Sequence, residues 1–289
     1  MLKYILTTIL IVSSLTSSVS SHATISESSS SNRPTTNLNK SPNRLIGEKD
    51  LSKASQKEIS ILNCQIIQNQ SIQQIKGYQI ITQNFLNDIQ SGKVKINEKD
   101  SKLQQFLLNN SNKLKTEVKD HLAKIENHDC NRDLRFIRRH SIPQAKNLAY
   151  LRTISNQASK RSSAAKEVNN SFTIVNCEID SDRMAARWNI NGSRQLNTTK
   201  DWEEYLEKIT KDNSKIIDRN KLESSKLDFK KAKESYLKSF EETKDSYLKK
   251  QCSSDQKENK NSNEITNNKV KISNKNFREL KNIFESIKI

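Results

Sequence analysis

LSKASQKEISILNCQIIQNQSIQQIKGYQIITQNFLNDIQ, residues Leu51 to Gln90, decides the fold. Ile59, Leu62 and Ile66, then Ile72 and Ile75, then Phe85, Leu86 and Ile89 recur mostly at three- and four-residue spacing, which puts them on one face of an α-helix. Asp50 or Ser52 is placed to cap its start. At 1.5 Å per residue this helix extends for ~60 Å. Gly92 interrupts the pattern, and Asn97 or Ser101 opens a second helix with a stripe of Leu103, Phe106, Leu107, Leu114, Val118, Leu122 and Ile125. Two helices joined near Gly92 make an αα-hairpin in which each covers the other's apolar stripe.

Folding the chain about Gly92 brings Cys64 close to Cys130 at the end of the second helix. The remaining cysteines are Cys177 and Cys252, and four widely spaced cysteines fit no CxxC-type metal or redox motif. In an oxidising compartment they suggest two bridges, with three pairings available. Hairpin geometry favours Cys64–Cys130 and therefore Cys177–Cys252.

The compartment follows from the first residues. Lys3, an apolar stretch from Tyr4 to Val12, and small residues at Ser21 and Ala23 read as a signal peptide over residues 1–23, cleaved after Ala23. The expected product is secreted or periplasmic and has no membrane span after cleavage. Residues 24–50, with Ser28–Ser31, Pro34 and Pro42 among polar neighbours, read as a disordered leader.

Beyond the hairpin, a third helix is expected from Arg132 to about Lys160, with Leu134, Ile137, Leu148, Leu151 and Ile154 facing inward and Pro143 kinking or dividing it. Together these helices fill residues 51–160. Residues 161–198 break the rhythm: Phe172 to Ile179 is rich in β-branched side chains, and Asn191-Gly192 is a hairpin-turn dipeptide. This stretch reads as a short β-hairpin or an irregular insert. A long helix is expected over 199–252, with a break possible at Asp212-Asn213. In it Glu234-Ser-Tyr-Leu-Lys238 is echoed eleven residues on by Asp245-Ser-Tyr-Leu-Lys249, a period that favours a nearly straight packing seam. Residues 253–272 read as a polar linker and 273–289 as an amphipathic helix carrying Phe277, Leu280, Ile283, Phe284 and Ile287.

Composition agrees with few, long helices. The chain has four glycines and three prolines in 289 residues, whereas sheets need many tight turns. Only 33% of residues are apolar, which suits narrow seams better than a thick core. The expected fold is mainly α: elongated helical hairpins or a bundle, disulfide-stapled, with the small β or irregular insert.

Formal net charge is +17, or +16 once Lys3 leaves with the signal peptide. Arg132, Arg135, Arg138 and Arg139 place four guanidinium groups within about two helical turns. They read either as a polyanion-binding patch or as a solvated face paired with Asp129 and Asp133. Tyr236, Phe240 and Tyr247 alternate with Lys233, Lys238, Lys244 and Lys249, which suits base or sugar stacking, or burial of the rings in a seam. His121, His128, Cys130 and His140 are the one cluster of metal-ligand residue types, but their spacing matches no common zinc pattern, and no metal or other cofactor is expected. There is no nucleophile elbow, no Walker or dinucleotide motif and no marked acid–base pair, so the chain does not read as an enzyme.

The leading functional expectation is an exported, non-enzymatic helical interaction protein of the cell envelope or extracellular space. It would engage a protein partner, or itself, through helix seams. The alternative is a basic module for acidic glycan, lipopolysaccharide, anionic lipid or extracellular nucleic acid. A secreted hydrolase or hydrolase inhibitor is the third reading, with no residue assigned to it.

Overall fold

A computed structural model describes residues 41–91, 109, 114–140, 149, 164–211 and 219–287. Among the described residues every regular element is helical. In chain order these are α1 (Pro42–Glu48), α2 (Gln56–Gln90), a single π-helical turn (Leu114–Val118) leading into α3 (Lys119–Glu126), α4 (Ala164–Lys211), α5 (Arg219–Leu248) and α6 (Gln256–Ile287). The fold is mainly α and carries two disulfides, Cys64–Cys130 and Cys177–Cys252, each with Cα atoms 5.8 Å apart.

Five boundaries differ from the sequence reading. The start of α2 is a capping box: the Ser55 N–H donates to Glu58 Oε2 at 2.7 Å, and the Glu58 N–H donates to Ser55 Oγ at 3.2 Å. Two of the unpaired N–H groups at the helix start are thereby satisfied, and neither Asp50 nor Ser52 is needed as the cap. The leader does not extend to Asp50, since α1 is helical and buries Asn43, Ile46 and Gly47. From Ala164 onward, the stretch expected as an insert is instead the first part of the 48-residue α4. The linker expected over 253–272 is helical from Gln256 onward. Helix also begins at Phe136 rather than Arg132. The signal peptide, the turn at Gly92, the stripe from Leu103 to Leu107, the kink at Pro143, the inward positions Leu148, Leu151 and Ile154, and the break at Asp212-Asn213 lie outside the described residues.

α4 is the spine. Its first half runs antiparallel to α2, with Tyr78 against Phe172 (ring centroids 4.4 Å apart) and Ile59 and Ile66 clustered with Ala186 and Ile190. Its second half runs antiparallel to α5, with Trp188 stacked on Phe240, Tyr236 donating to Gln195 Oε1, and Trp202 edge-on to Phe229. α6 returns antiparallel to α5, with Phe277 at Tyr236 and Phe284 at Phe229. Trp202 closes this end of the bundle, stacked 4.8 Å from Phe284 and 5.9 Å from Phe277. Tyr236, Phe240 and Tyr247 are all buried, so the aromatic–lysine pattern is a packing seam.

The far end of the α5–α6 seam is polar. Asn259, Thr266 and Ser273 are buried at seven-residue spacing on α6, opposite Ser239 and Thr243 of α5. Thr266, Thr243 and Ser239 return their hydroxyl protons to carbonyls of their own helices, at Ser262, Ser239 and Tyr236. These three hydroxyls are thus satisfied locally and leave a small, close-packing surface, whereas the buried Ser273 hydroxyl has no hydrogen-bond partner among the described residues.

α1 docks into the groove between α2 and α4 through buried polar groups. Asn189 Nδ2 donates to the carbonyls of Ile46 (2.8 Å) and Lys49 (2.7 Å), capping the end of α1 from a neighbouring helix. Gln73 Nε2 donates to Ser41 Oγ at 2.7 Å, and Asn43 Nδ2 to the Ile66 carbonyl at 3.2 Å. Asp182 is buried beside Ser41 and Arg44.

Gly192 explains why the Asn191-Gly192 dipeptide is not a turn. A Cβ at this position would lie inside the van der Waals envelope of the Phe240 ring. The glycine is a notch in α4 that seats a large side chain of α5. Gly77 plays the same part on α2, where an added Cβ would meet Val175 Cγ1 at 2.9 Å. Phe240 is buried and stacked on Trp188, so it has little room to yield. Gly192→Ala is expected to lower stability by about 1–3 kcal/mol, despite alanine's better helix propensity. Urea unfolding of G192A, F240L and the double variant checks this: the two changes should be strongly non-additive. Simple additivity would mean that the ring does not press on the glycine.

Candidate functional site

The densest group of chemically capable side chains surrounds the Cys64–Cys130 bridge. It is assembled from the middle of α2, the whole of α3, the connection 127–135 and the helical turn 136–140. The apolar floor is Cys64, Ile75, Val118, Ile125, Cys130 and Phe136.

Polar anchors shape the connection. Gln68 of α2 donates its Nε2 hydrogens to the carbonyls of Ile125 (2.9 Å) and His128 (2.8 Å), taking up carbonyls at the end of α3. Asp129 Oδ1 accepts the Asn131 N–H at 2.9 Å, which folds the chain back on itself. Asp133 Oδ1 accepts the Arg135 N–H at 3.0 Å, just ahead of the turn that starts at Phe136.

The arginine cluster falls here and is largely spoken for. Arg135 Nε donates to Asp133 Oδ1 at 2.9 Å, and Arg139 Nε to Asp133 Oδ2. The Arg135 side chain and N–H, followed by Arg139, hold the Asp133 carboxyl far below the usual carboxylate range. Arg132 pairs with Asp129 at 3.3 Å while remaining 89% exposed in its side chain. Arg138 is exposed and makes no ion pair with a described residue. Contrary to the inward face expected for them, Leu134 (50% exposed) and Ile137 (56%) turn to solvent, and Phe136 between them is the residue buried.

Behind this face lie the histidines. His121 and His140 are buried, and His128 is half-buried. His128 stands edge-on to Phe136 (5.1 Å) and to His140 (5.2 Å), and His121 lies 6.0 Å from His140. Burial lowers the pKa of His121, assisted by Lys124. Burial likewise lowers that of His140, with His128, His121 and Arg139 adding to it and Asp133 opposing. Both rings are therefore neutral at physiological pH.

The structure brings together the cysteine pair, three arginines around two aspartates, and three histidines. Asp129 and Asp133 pair with the arginines as the solvated-face reading expected, whereas Gln68 and Phe136 carry no distinguishing sequence signal, because a single Gln acquires its role only from the carbonyls placed beside it. No family model matches the sequence, and no curated protein or solved structure matches it.

Proposed function

We propose that this chain is an exported, non-enzymatic interaction protein of the cell envelope or extracellular space. The observation that carries the reading is the pair Leu134 and Ile137, held outward on a short turn that a disulfide, the Gln68 anchor and the Asp133 clamp fix in place. Exposed apolar side chains on a rigid mount suit docking, since little ordering entropy is lost on binding. Ile265 and Ile272, two turns apart on α6, give a second exposed apolar pair on the same kind of rigid support. The disulfides support an oxidising compartment, and with it export. Among the described residues no helix is long and apolar enough to cross a membrane.

The test is association of the chain from residue 24 onward, by sedimentation and by cross-linking to its native cell surface. Self-association or partner capture should persist in ~1 M salt, where the screening length is only about 3 Å. It should weaken about tenfold or more in the L134S/I137S double variant, by loss of buried apolar area. Association that vanishes with salt and ignores both substitutions would instead favour the polyanion reading. That reading keeps the net charge of +17 and Arg138 in its support, while three of its four arginines are engaged by Asp129 and Asp133.

A further inference from the structure

Three of the chain's four histidines meet at one place, though they come from α3, the connection after it and the following helical turn. Their neighbours specify which nitrogens are available. His128 Nε2 lies 2.7 Å from the Asp133 carbonyl oxygen, and a carbonyl only accepts. Nε2 therefore carries the proton of the neutral ring, and Nδ1 carries the lone pair. That Nδ1 faces His140 Nε2 at 3.3 Å. Metal-bound histidines share this arrangement, with one nitrogen toward the ion and the other N–H held by a backbone carbonyl.

The spacing also fits. Two nitrogens bonded at about 2.0–2.1 Å to a tetrahedral ion are separated by about 3.3 Å. The His128 and His140 ring centroids lie 5.2 Å apart. The Sγ atoms of Cys64 and Cys130 and a ring nitrogen of His128 all lie within 4.8 Å of one another. Joined as a disulfide, those sulfurs are not thiolates, so the imidazoles are the effective donors of the oxidised protein.

We propose that His128 Nδ1 and His140 Nε2 form a two-imidazole binding site, completed by water, for a divalent transition-metal ion of the Zn²⁺ or Cu²⁺ type. The donor set is nitrogen-rich and borderline-soft, which favours these ions over Mg²⁺ or Ca²⁺. Half-exposed His128 is the point of entry, and buried Phe136 forms one apolar wall. The site is independent of the docking role proposed above.

The experiment titrates Zn²⁺ into the full exported chain with both disulfides intact, against a chromophoric chelator, while ¹⁵N spectra follow the imidazoles. About one equivalent of Zn²⁺ should bind, with the His128 Nδ1 and His140 Nε2 resonances shifting together. His140→Phe and His128→Phe should each weaken binding about tenfold or more, as loss of a metal-supporting group does. Equal affinity in H140F, or imidazole resonances that do not move when Zn²⁺ binds, would overturn the proposal. So would binding that requires prior reduction of Cys64–Cys130, since it would assign the ion to thiolates. Should either variant misfold, the wild-type nitrogen spectrum decides the question alone.

Discussion

Replacing Cys177 and Cys252 by serine is expected to lower the unfolding free energy by about 4 kcal/mol, the chain-entropy value for a closed loop of this size. The bridge spans 75 residues and ties the first half of α4 to the connection between α5 and α6. The neighbouring end of the α5–α6 seam is built from Asn259, Thr266, Ser273, Ser239 and Thr243, whose burial contributes little hydrophobic free energy. Urea unfolding followed by the fluorescence of Trp188 and Trp202, the only two tryptophans, measures the loss. The contrast is with C64S/C130S. That bridge serves a small separate cluster, so its removal should strip hydrogen-exchange protection from residues 118–140 and move the tryptophan transition less. Equal shifts in both variants would show that the two ends unfold as one unit.

Stability should also fall as pH rises from about 4 to about 6, through Asp182. Burial is the largest influence on this carboxyl and pushes its pKa from 3.8 up to about 6; the Ser41 hydrogen bond and Arg44 act against the shift, and Glu48 adds to it. A group whose folded pKa is raised binds its proton more tightly in the folded state. Its contribution is complete below the unfolded value and is lost as pH passes through the folded one. Two pKa units correspond to about 3 kcal/mol at most. Asp182→Asn keeps the hydrogen-bonding shape without the charge, so it should be more stable than wild type at pH 7 and lack this slope. His121 and His140, with lowered pKa values, act in the opposite direction as pH falls below 6.5, so the difference between variant and wild type is the quantity to follow. A difference that stays flat between pH 4 and 7 would show that water reaches Asp182.

What was legible in the sequence was the apolar periodicity and its arithmetic. The stripe through Ile59, Ile66 and Ile75 is buried, and the hairpin that it implied pairs Cys64 with Cys130. The misreadings share one cause: positions where the partner, not the local sequence, selects the residue. Gly192 looks like a turn because glycine is disfavoured in the interior of a strand or a helix, and only Phe240 makes it useful. Residues 256–272 look like a linker because Asn259 and Thr266 are polar, yet these small side chains are buried, with the Thr266 hydroxyl bonded to the Ser262 carbonyl, and let α6 approach α5. Ser41 and Asn43 look solvated, yet Gln73, Ile66 and Asp182 surround them. At the candidate site the four arginines were visible as a group, but their neutralisation depends on a bend at Asp133 that no periodicity announces. The histidines were visible as residue types, and their convergence was not, because it needs α3 and the helical turn after it to lie side by side.

The two covalent rings have a topological consequence. One encloses residues 64–130 and the other 177–252, and they neither overlap nor nest. A protease that cuts once inside either ring leaves a single molecule, unchanged in mass apart from one added water, whose halves separate only after a reductant is added. A cut between 131 and 176 divides the protein at once. Damage to this chain in an oxidising environment is thus hidden or revealed according to where it falls, and 131–176, like the segments before Cys64 and after Cys252, has its continuity in the backbone alone.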